Sequence, residues 1–580
     1  MSERARPLPR IRTRDSPGAG QSQAGGAPLL QRIFAARGVC SDAQLSLDLS
    51  ALLPVSSLPG TEAAAQLLLA HRLRRVLVIG DFDVDGATST ALLLRGLRSF
   101  GFAQVDFAVP DRFRFGYGLQ PAIVEHVLPR APSLIVTVDN GVASVEGVAR
   151  AKELGIEVLV TDHHLPGALL PDAQVIVNPN LADSSFGSRA LAGVGVAFYV
   201  LAALRRLMQE QSLLPAGALA LGQLLDLVAL GTVADMVPLD ANNRILVAQG
   251  LRRIRAGQCV PGIRALLELG QRELPQVVAS DLGFAVAPRL NAAGRLDDMS
   301  LGIQCLLEDD PQRVAEIASD LDALNRQRRE IESQMQGQAL AAVRGLAARI
   351  SDGQRHAGVC LYDPGWHQGA VGLVAGRVKD RLSRPVVAFA PADDGAWLRG
   401  SARSVPGVHI RDVFAAIATR EPDLIERFGG HALAAGITLR AQCLDRFARA
   451  FEAEVAHWLQ ETAYEPAIWT DGALQDEELT LATARLLRDA APWGQAFPEP
   501  SFDGEFDIES SRVLGEKHVK FWLRPAGSRL RLDAIAFNLL DPEQQPQAPA
   551  GRVRAVYRLD VNHYQGQQRL QLVIEHLQQG

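Results

Sequence analysis

The stretch EVLVTDHHLPG, Glu157 to Gly167, decides the fold. Five residues of strand character run directly into an aspartate and two adjacent histidines. Such a segment predicts a buried strand whose carboxyl end carries chemistry. Similar apolar runs lie on both sides of it: RVLVIG (75–80), QVDFAV (104–109), SLIVTV (133–138) and QVIVN (174–178). Between the first two, TSTALLLRGLRSFG reads as a helix stopped by glycine. Strands alternating with helices predict a parallel, doubly wound sheet. In such sheets ligands bind beyond the carboxyl ends of the strands.

Three of these runs end in carboxylates or imidazoles. The first enters GDFDVDG, with Asp81, Asp83 and Asp85; the third enters VDNG, with Asp139; the fourth enters TDHH, with Asp162, His163 and His164. Parallel strands would bring all three ends to one edge. LGTVADMVPLD, after a leucine-rich helix, adds Asp235. Carboxylates gathered without Lys or Arg repel one another, and some would take up protons. Divalent cations remove that repulsion. Carboxylate and imidazole ligands without thiolates suit magnesium or manganese. One aspartate shared between two ions describes a two-metal hydrolase acting at phosphorus. Taken alone, DFDVDG also fits a calcium loop or a solvated turn.

The rest of the chain divides by pattern. Residues 190–310 read as helical, and Gln312 to Met335 lacks Gly and Pro, predicting one long connecting helix. A second α/β segment follows, with strands at GVCLYD (358–363), RPVVAFA (384–390) and AWLRGSARSV (396–405). The C-terminal stretch alternates at period two and predicts a small OB-like barrel. PRLNAAGR supplies Arg289, Asn291 and Arg295, and SARS supplies Ser401 and Arg403, all suited to phosphate. FGGHALAAG reads as a glycine-rich loop whose Gly429, Gly430 and His431 suit a phosphate or the scissile group. PDRFRFGYGL (110–119) interleaves arginines with aromatics, as base stacking requires, or forms a rim packed on the core. Lys517, His518, Lys520, Arg524, Arg529 and Arg531 predict a basic sheet in the tail.

The 580 residues carry a formal net charge of −6, so binding to nucleic acid must use local basic patches. The five cysteines are scattered and never form CxxC, which argues against a disulfide framework and a thiolate zinc site and predicts a reducing, cytoplasmic setting. No membrane span is expected; Leu213 to Leu230, the most apolar long stretch, holds Pro215, Gln223 and Asp226 and reads as a buried helix. The Arg-, Pro- and Gly-rich start has no signal-peptide core and is expected to be disordered to about Ala27.

DFDVDG, VDNG, TDHH and GTVADMVPL, followed by APRLNAAGRLDD (287–298), SARS (401–404) and FGGHALAAG (428–436), resemble the successive motifs of the DHH phosphoesterase superfamily. In combination, over residues 70 to 440, they resemble its bacterial single-stranded-DNA-specific 5′→3′ exonucleases. The resemblance implies an α/β fold of two lobes, a DHH-type parallel sheet and a DHH-associated domain, joined by a long helix and followed by an OB-like barrel. The corresponding boundaries are an N-terminal extension (1–45), a DHH domain (46–308), the helix (309–350), a nucleic-acid-binding domain (351–460) and the β domain (461–580). It implies two divalent cations, Mn or Mg, held by Asp83, Asp85, Asp139, His163 and Asp235, with Asp139 as the bridge. His164 would contact the scissile phosphate or complete a metal shell, and Asp162 would fix a neighbouring histidine. Whether Asp81 is a ligand stays open. Val84 stands where the family often has Ala, away from the ligands. Arg289, Ser401 and Arg403 would hold the terminal 5′-phosphate. The implied activity is hydrolysis of single-stranded DNA to mononucleotides in recombination and repair, mismatch repair included. The implied partners are a helicase and a single-stranded-DNA-binding protein. Two other readings share the motifs: a hydrolase of oligoribonucleotides or cyclic dinucleotides, which would not require the long helix and the barrel, and a replication scaffold that has lost its ligands, whereas every acidic and imidazole position is present here.

Overall fold

The structure, a computed structural model, describes residues 10–15, 26–110, 115, 117–349, 357–392, 395–461, 467–515, 517–540, 548–564 and 566–579. The chain forms two compact units. The first joins residues 1–294, 298–322 and 467–580; the second joins 295–297 and 323–466.

The first unit begins with a strand, β1 (Arg10–Thr13). Its main sheet holds β2 (Arg75–Gly80), β3 (Gln104–Ala108), β4 (Leu134–Val138), β5 (Glu157–Thr161) and β6 (Val175–Val177), in the order β3-β2-β4-β5-β6 and parallel throughout. The central strands are buried on both faces, which is why they read as unbroken apolar runs. On one face Leu77, Ile79, Ile135, Val158 and Val160 pack with Ile123, Val124, Val127 and Val148 from helices Pro121–Val127 and Val145–Glu153. Helices Val84–Ser99 and Gly193–Glu210 also pack on the sheet. The chain leaves β2 for β3 on one side and returns to β4 on the other, so the strand order reverses between β2 and β4. Ligands gather at such a switch point.

The stretch Leu213–Leu230 departs from the expected single helix. The α-helix runs only from Leu225 to Ala234, after a 3₁₀ turn at Leu221–Leu224. Pro215 and the left-handed Gly217 (φ +83°) interrupt the earlier part. The long connecting helix spans Pro311–Arg349.

The second unit holds β7 (Val359–Tyr362), β8 (Val386–Pro391), β9 (Trp397–Arg403), β10 (Arg427–Gly430) and β11 (Ala434–Arg440), ordered β10-β11-β9-β8-β7. Only β7 and β8 run parallel. FGGHALAAG is therefore not a loop: its ends form β10 and β11, joined at a tight turn where His431 N donates to Ala434 O at 2.7 Å. Gly430 has φ +142°, and a Cβ there would fall 2.4 Å from Ala434 O. Only glycine fits the position.

The C-terminal strands β12 (Ala467–Thr470), β13 (Phe502–Leu514), β14 (His518–Pro525), β15 (Leu532–Ala536), β16 (Gly551–Tyr564) and β17 (Gln567–Gln579) return to the first unit. The last five close into a barrel ordered β13-β14-β15-β17-β16, as the OB reading expects. Part of the stretch expected to be disordered is ordered: β1 pairs in parallel with β12, Arg10 opposite Ala467 through Thr13 opposite Thr470. Helix Pro28–Ala35, within the expected N-terminal extension, buries Leu29, Leu30, Ile33 and Phe34. Phe34 stacks on Trp493 and Phe497, with ring centroids 5.9 and 6.2 Å apart. Arg37 clamps Asp471 through two nitrogens at 2.7 and 3.0 Å.

Candidate metal centre and phosphate site

The parallel register aligns the site. Gly80, Val138 and Thr161 lie side by side at the ends of β2, β4 and β5. The next residue of each strand is an aspartate: Asp81, Asp139 and Asp162. Asp139 adopts φ +60°, a left-handed conformation uncommon outside glycine, and its amide donates to Thr161 O at 3.0 Å. After Asp81 the chain turns into helix Val84–Ser99, where the Asp83 side chain caps the end by accepting from Gly86 N at 3.1 Å.

Asp85, in the first turn of that helix, faces the same cluster. Its fully buried carboxylate accepts from Gly193 N at 2.7 Å and Val194 N at 2.9 Å, the first amides of helix Gly193–Glu210. That helix end supplies partial positive charge to the acid. Asp235, just past helix Leu225–Ala234, brings Oδ2 to 3.5 Å from His163 Nε2. The same nitrogen lies 3.0 Å from Asp139 Oδ1 and 3.8 Å from Asp85 Oδ2.

Asp162 is the organiser of the histidine pair. Its Oδ1 accepts from His163 N at 2.8 Å and His164 N at 3.1 Å and lies 2.8 Å from His164 Nδ1; its Oδ2 accepts from Val142 N at 2.8 Å. Asn180 and Asn178 donate to the carbonyls of His163 and His164 at 2.6 and 2.9 Å. Tyr117 Oη lies 3.1 Å from His164 Nδ1 and 3.2 Å from Asp139 O. Arg112, Phe113 and Arg114, of the same segment, lie outside the described residues.

Three sets of side chains offer ligand atoms all within 4.8 Å of one another: Asp139, His163 and His164; Asp85, His163 and Asp235; Asp81, Asp83 and Asp139. Asp139 and His163 each belong to two sets. The electrostatics fit a cation there. Burial first, then neighbouring Asp83, pushes Asp85 up to about 7 despite the two helix amides. Burial and the surrounding aspartates hold Asp139 and Asp235 well above the usual carboxylate range. Burial also acts to raise Asp162, but hydrogen bonding and charge from His164, with His163 and the Val142 amide, leave it lowered. His164 is depressed by burial yet ends at about 9, because Asp162, Asp235 and Asp81 outweigh it. The buried Asp139 Oδ1 accepts no hydrogen bond among the described residues. A hard divalent cation suits these acids and imidazoles.

Of the expected phosphate-binding residues, Arg289 is committed inside its own unit. Its Nε lies 2.8 Å from Asp322 Oδ1, and its other nitrogens donate to Ala285 O and Leu269 O at 2.5 and 3.3 Å. Asn291 is half-buried on the same helix, Ala287–Leu296. Arg295 donates to Gly369 O at 3.3 Å. Ser401 and Arg403 lie together on β9, with Arg403 Nη1 3.0 Å from Ser401 Oγ. A Cβ on Gly372, in the first turn of helix Val371–Leu382, would lie 2.9 Å from Ser401 Oγ and 3.1 Å from Arg403 Nη2. Two side-chain donors thus face a helix start, an arrangement that suits an anion. Burial lowers the Arg403 pKa, and no carboxylate pairs with it among the described residues. Ser401, Gly436 and Gly429 are direct neighbours across β9, β11 and β10. His431 is exposed at the turn.

Sequence reasoning missed three contributors: the helix amides at Gly193 and Val194, the asparagines of VNPN, and Tyr117 as a partner of His164. Polar VNPN directly after a strand was the one available signal.

Comparison with known proteins agrees with this geometry. Residues 75–232 match the DHH family, N-terminal domain; 354–457 match the DHHA1 domain; 470–576 match the RecJ OB domain. The chain is 52% identical over 555 residues to the single-stranded-DNA-specific exonuclease RecJ of Dickeya dadantii, covering 95% of this chain and 96% of that protein. The crystal structure of Thermus thermophilus RecJ in complex with Mn²⁺ matches with a TM-score of 0.80 at 30% identity, covering 98% of this chain and 80% of that one. Its complex with Mg²⁺ matches with a TM-score of 0.74 at 28% identity, covering 98% and 78%. A parallel sheet with acids at its switch point, a mixed-sheet domain and an OB barrel thus occur in one order along one chain, and the chain belongs to the RecJ family of DHH exonucleases.

Proposed function

We propose that the protein is a metal-dependent exonuclease that hydrolyses single-stranded DNA from the 5′ end to mononucleotides, in DNA recombination and repair. The observation that carries this reading is the overlap of the three ligand sets at Asp139 and His163. Asp83, Asp85, Asp139, His163 and Asp235 would hold two cations, Mn²⁺ or Mg²⁺, with Asp139 shared; Asp81 is a further candidate ligand. When bound, such a pair acidifies water and shares the charge of the phosphate.

The protein's own residues do the rest. Asp162 and the asparagines orient the histidine pair, as outer-shell carboxylates commonly do. His164, held by Asp162 and Tyr117, would contact an oxygen of the scissile phosphate or complete a metal shell. Ser401 and Arg403 take the terminal phosphate, supported by the helix start at Val371 and by glycines on the neighbouring strands. Gly429, Gly430 and His431 line that end. Arg289, tied to Asp322, acts by positioning its helix, which also carries Asn291 and Arg295.

The domain boundaries 46–308, 309–350, 351–460 and 461–580 are retained in this reading. A helicase and a single-stranded-DNA-binding protein are the proposed partners, and the cytoplasm the proposed location. Among the described residues no helix is long and apolar enough to cross a membrane. The test is digestion of end-labelled single strands with Mn²⁺ or Mg²⁺, with and without a 5′-phosphate, beside duplex and dinucleotide controls. Mononucleotide release from the phosphorylated 5′ end is expected, with loss of activity in Asp139→Ala. Equal cleavage of dinucleotides alone, or full activity in Asp139→Ala, refutes the reading.

A further inference from the structure

One of the three ligand sets, Asp85, His163 and Asp235, is gathered from segments far apart in the chain. Asp85 stands in the first turn of helix Val84–Ser99, His163 lies just past β5, and Asp235 follows helix Leu225–Ala234. Asp235 does not follow a strand, so the register of the sheet cannot place it.

All three are nevertheless tied to one short turn, Ser188 to Val194. The amides of Gly193 and Val194 hold Asp85 at 2.7 and 2.9 Å. Asn180 Nδ2 donates to Arg189 O at 3.1 Å and to His163 O at 2.6 Å. Asn243 Nδ2 donates to Ala190 O at 2.8 Å and to Pro238 O, just beyond Asp235, at 3.0 Å. Ser188 Oγ lies 2.6 Å from Asp240 Oδ2, a second tie between the turn and the Asp235 loop.

The two asparagines work alike. One NH₂ group carries two N–H bonds, so a single side chain can satisfy carbonyls from two segments. Asn243 is fully buried, and its Oδ1 accepts no hydrogen bond among the described residues. An unmatched buried acceptor lowers stability. Asn243 therefore costs the fold something, and what it provides is the join between Ala190 and Pro238. The remaining acids are placed by other means. Asp81 and Asp139 directly follow β2 and β4, whose register sets them side by side, and Asp83 caps its own helix.

We propose that the turn Ser188–Val194, with Asn180 and Asn243, is a hub that positions Asp85, His163 and Asp235 as the ligand set of one cation, independently of Asp81, Asp83 and Asp139. The inference rests on the two-cation reading of the site. Asn180 and Asn243 are positioning residues, because they act through the ligands they hold. Outer-shell partners that orient ligands in this way tune metal affinity.

The test is calorimetric titration of the full-length protein with Mn²⁺, with Asn243→Leu as the main variant. Leucine is close in size but leaves both carbonyls without a donor. The wild type should show two Mn²⁺ binding events. The variant should weaken one of them by about 10-fold or more and leave the other unchanged. Digestion of a 5′-phosphorylated single strand should then need more Mn²⁺ and regain the wild-type rate at saturating Mn²⁺, a rescue that lost packing alone would not give. Ser188→Ala removes only the second tie; it should show the same pattern at smaller size, and it carries the test if Asn243→Leu does not fold. Val553→Ala, in the barrel core, should lower the melting temperature without changing either event. Equal weakening of both events, or of neither, overturns the proposal. So does a loss of activity that saturating Mn²⁺ fails to restore. A wild-type protein that binds fewer than two Mn²⁺ overturns the two-cation reading, and the inference with it.

Discussion

Asp162→Asn tests how the histidine pair is held. The exchange keeps size and shape but turns one acceptor atom into a donor. At present Oδ1 faces the amides of His163 and His164 and His164 Nδ1, and Oδ2 faces the amide of Val142. With the asparagine oxygen toward the histidines, its NH₂ opposes the Val142 N–H. With the amide flipped, the NH₂ opposes two backbone N–H groups. The first orientation wins, leaving one buried donor unmatched at a cost of about 1–3 kcal/mol. His164 also loses its carboxylate partner. Outer-shell partners of this kind are worth about 10- to 100-fold in metal affinity or activity. Chemical denaturation in EDTA reads the first effect, and calorimetric titration with Mn²⁺ reads the second. Unchanged stability together with unchanged Mn²⁺ affinity would refute the assignment of Asp162 as the support of the pair. A complete loss of Mn²⁺ binding in a fully stable variant would make it a ligand.

Gly193→Ala places a methyl 2.8 Å from Asp139 Cβ and 3.0 Å from its Oδ1. The clash should destabilise by about 1–3 kcal/mol and weaken Mn²⁺ binding, seen as a lower melting temperature and a weaker titration. Metal-free protein should lose stability as pH rises. Asp85, Asp139 and Asp235 are raised in the folded state, so the native form keeps protons that the unfolded chain releases near pH 4. Their contribution is full below about pH 4 and is lost through about pH 7 and above, the value for Asp85. Melting in EDTA across this range should show the decline, and saturating Mn²⁺ should remove it. Arg37→Ala strands Asp471, whose side chain is 1% exposed, and should cost about 3 kcal/mol or more in denaturation. Arg14, 3.3 Å from the same carboxylate, limits the loss.

The metal centre was legible because parallel strands at a switch point leave little choice about where their ends go. Apolar runs located β2, β4 and β5, and the acids directly after them had to share an edge. The small barrel was legible for the same reason, through alternation at period two. Partners supplied by the backbone were hidden. Asp85 finds its two donors 108 and 109 positions along the chain, at a helix start with no distinctive side chain. The hairpin of β10 and β11 was hidden because FGG suggests flexibility, whereas here its glycines sit in a sheet and a tight turn. Order at Arg10–Thr13 was hidden because those residues pair with β12, which lies more than four hundred positions away. What could not be read was therefore the set of contacts that hold the chemistry in place. Asp85 makes the point physically. A buried carboxylate without compensation would be protonated, and two helix amides leave it still raised to about 7. The fold supplies part of what water gave up, and a divalent cation held by Asp85, His163 and Asp235 would supply the rest. Binding the metal and completing the fold at this corner are thus one equilibrium, so a variant that weakens either should weaken both.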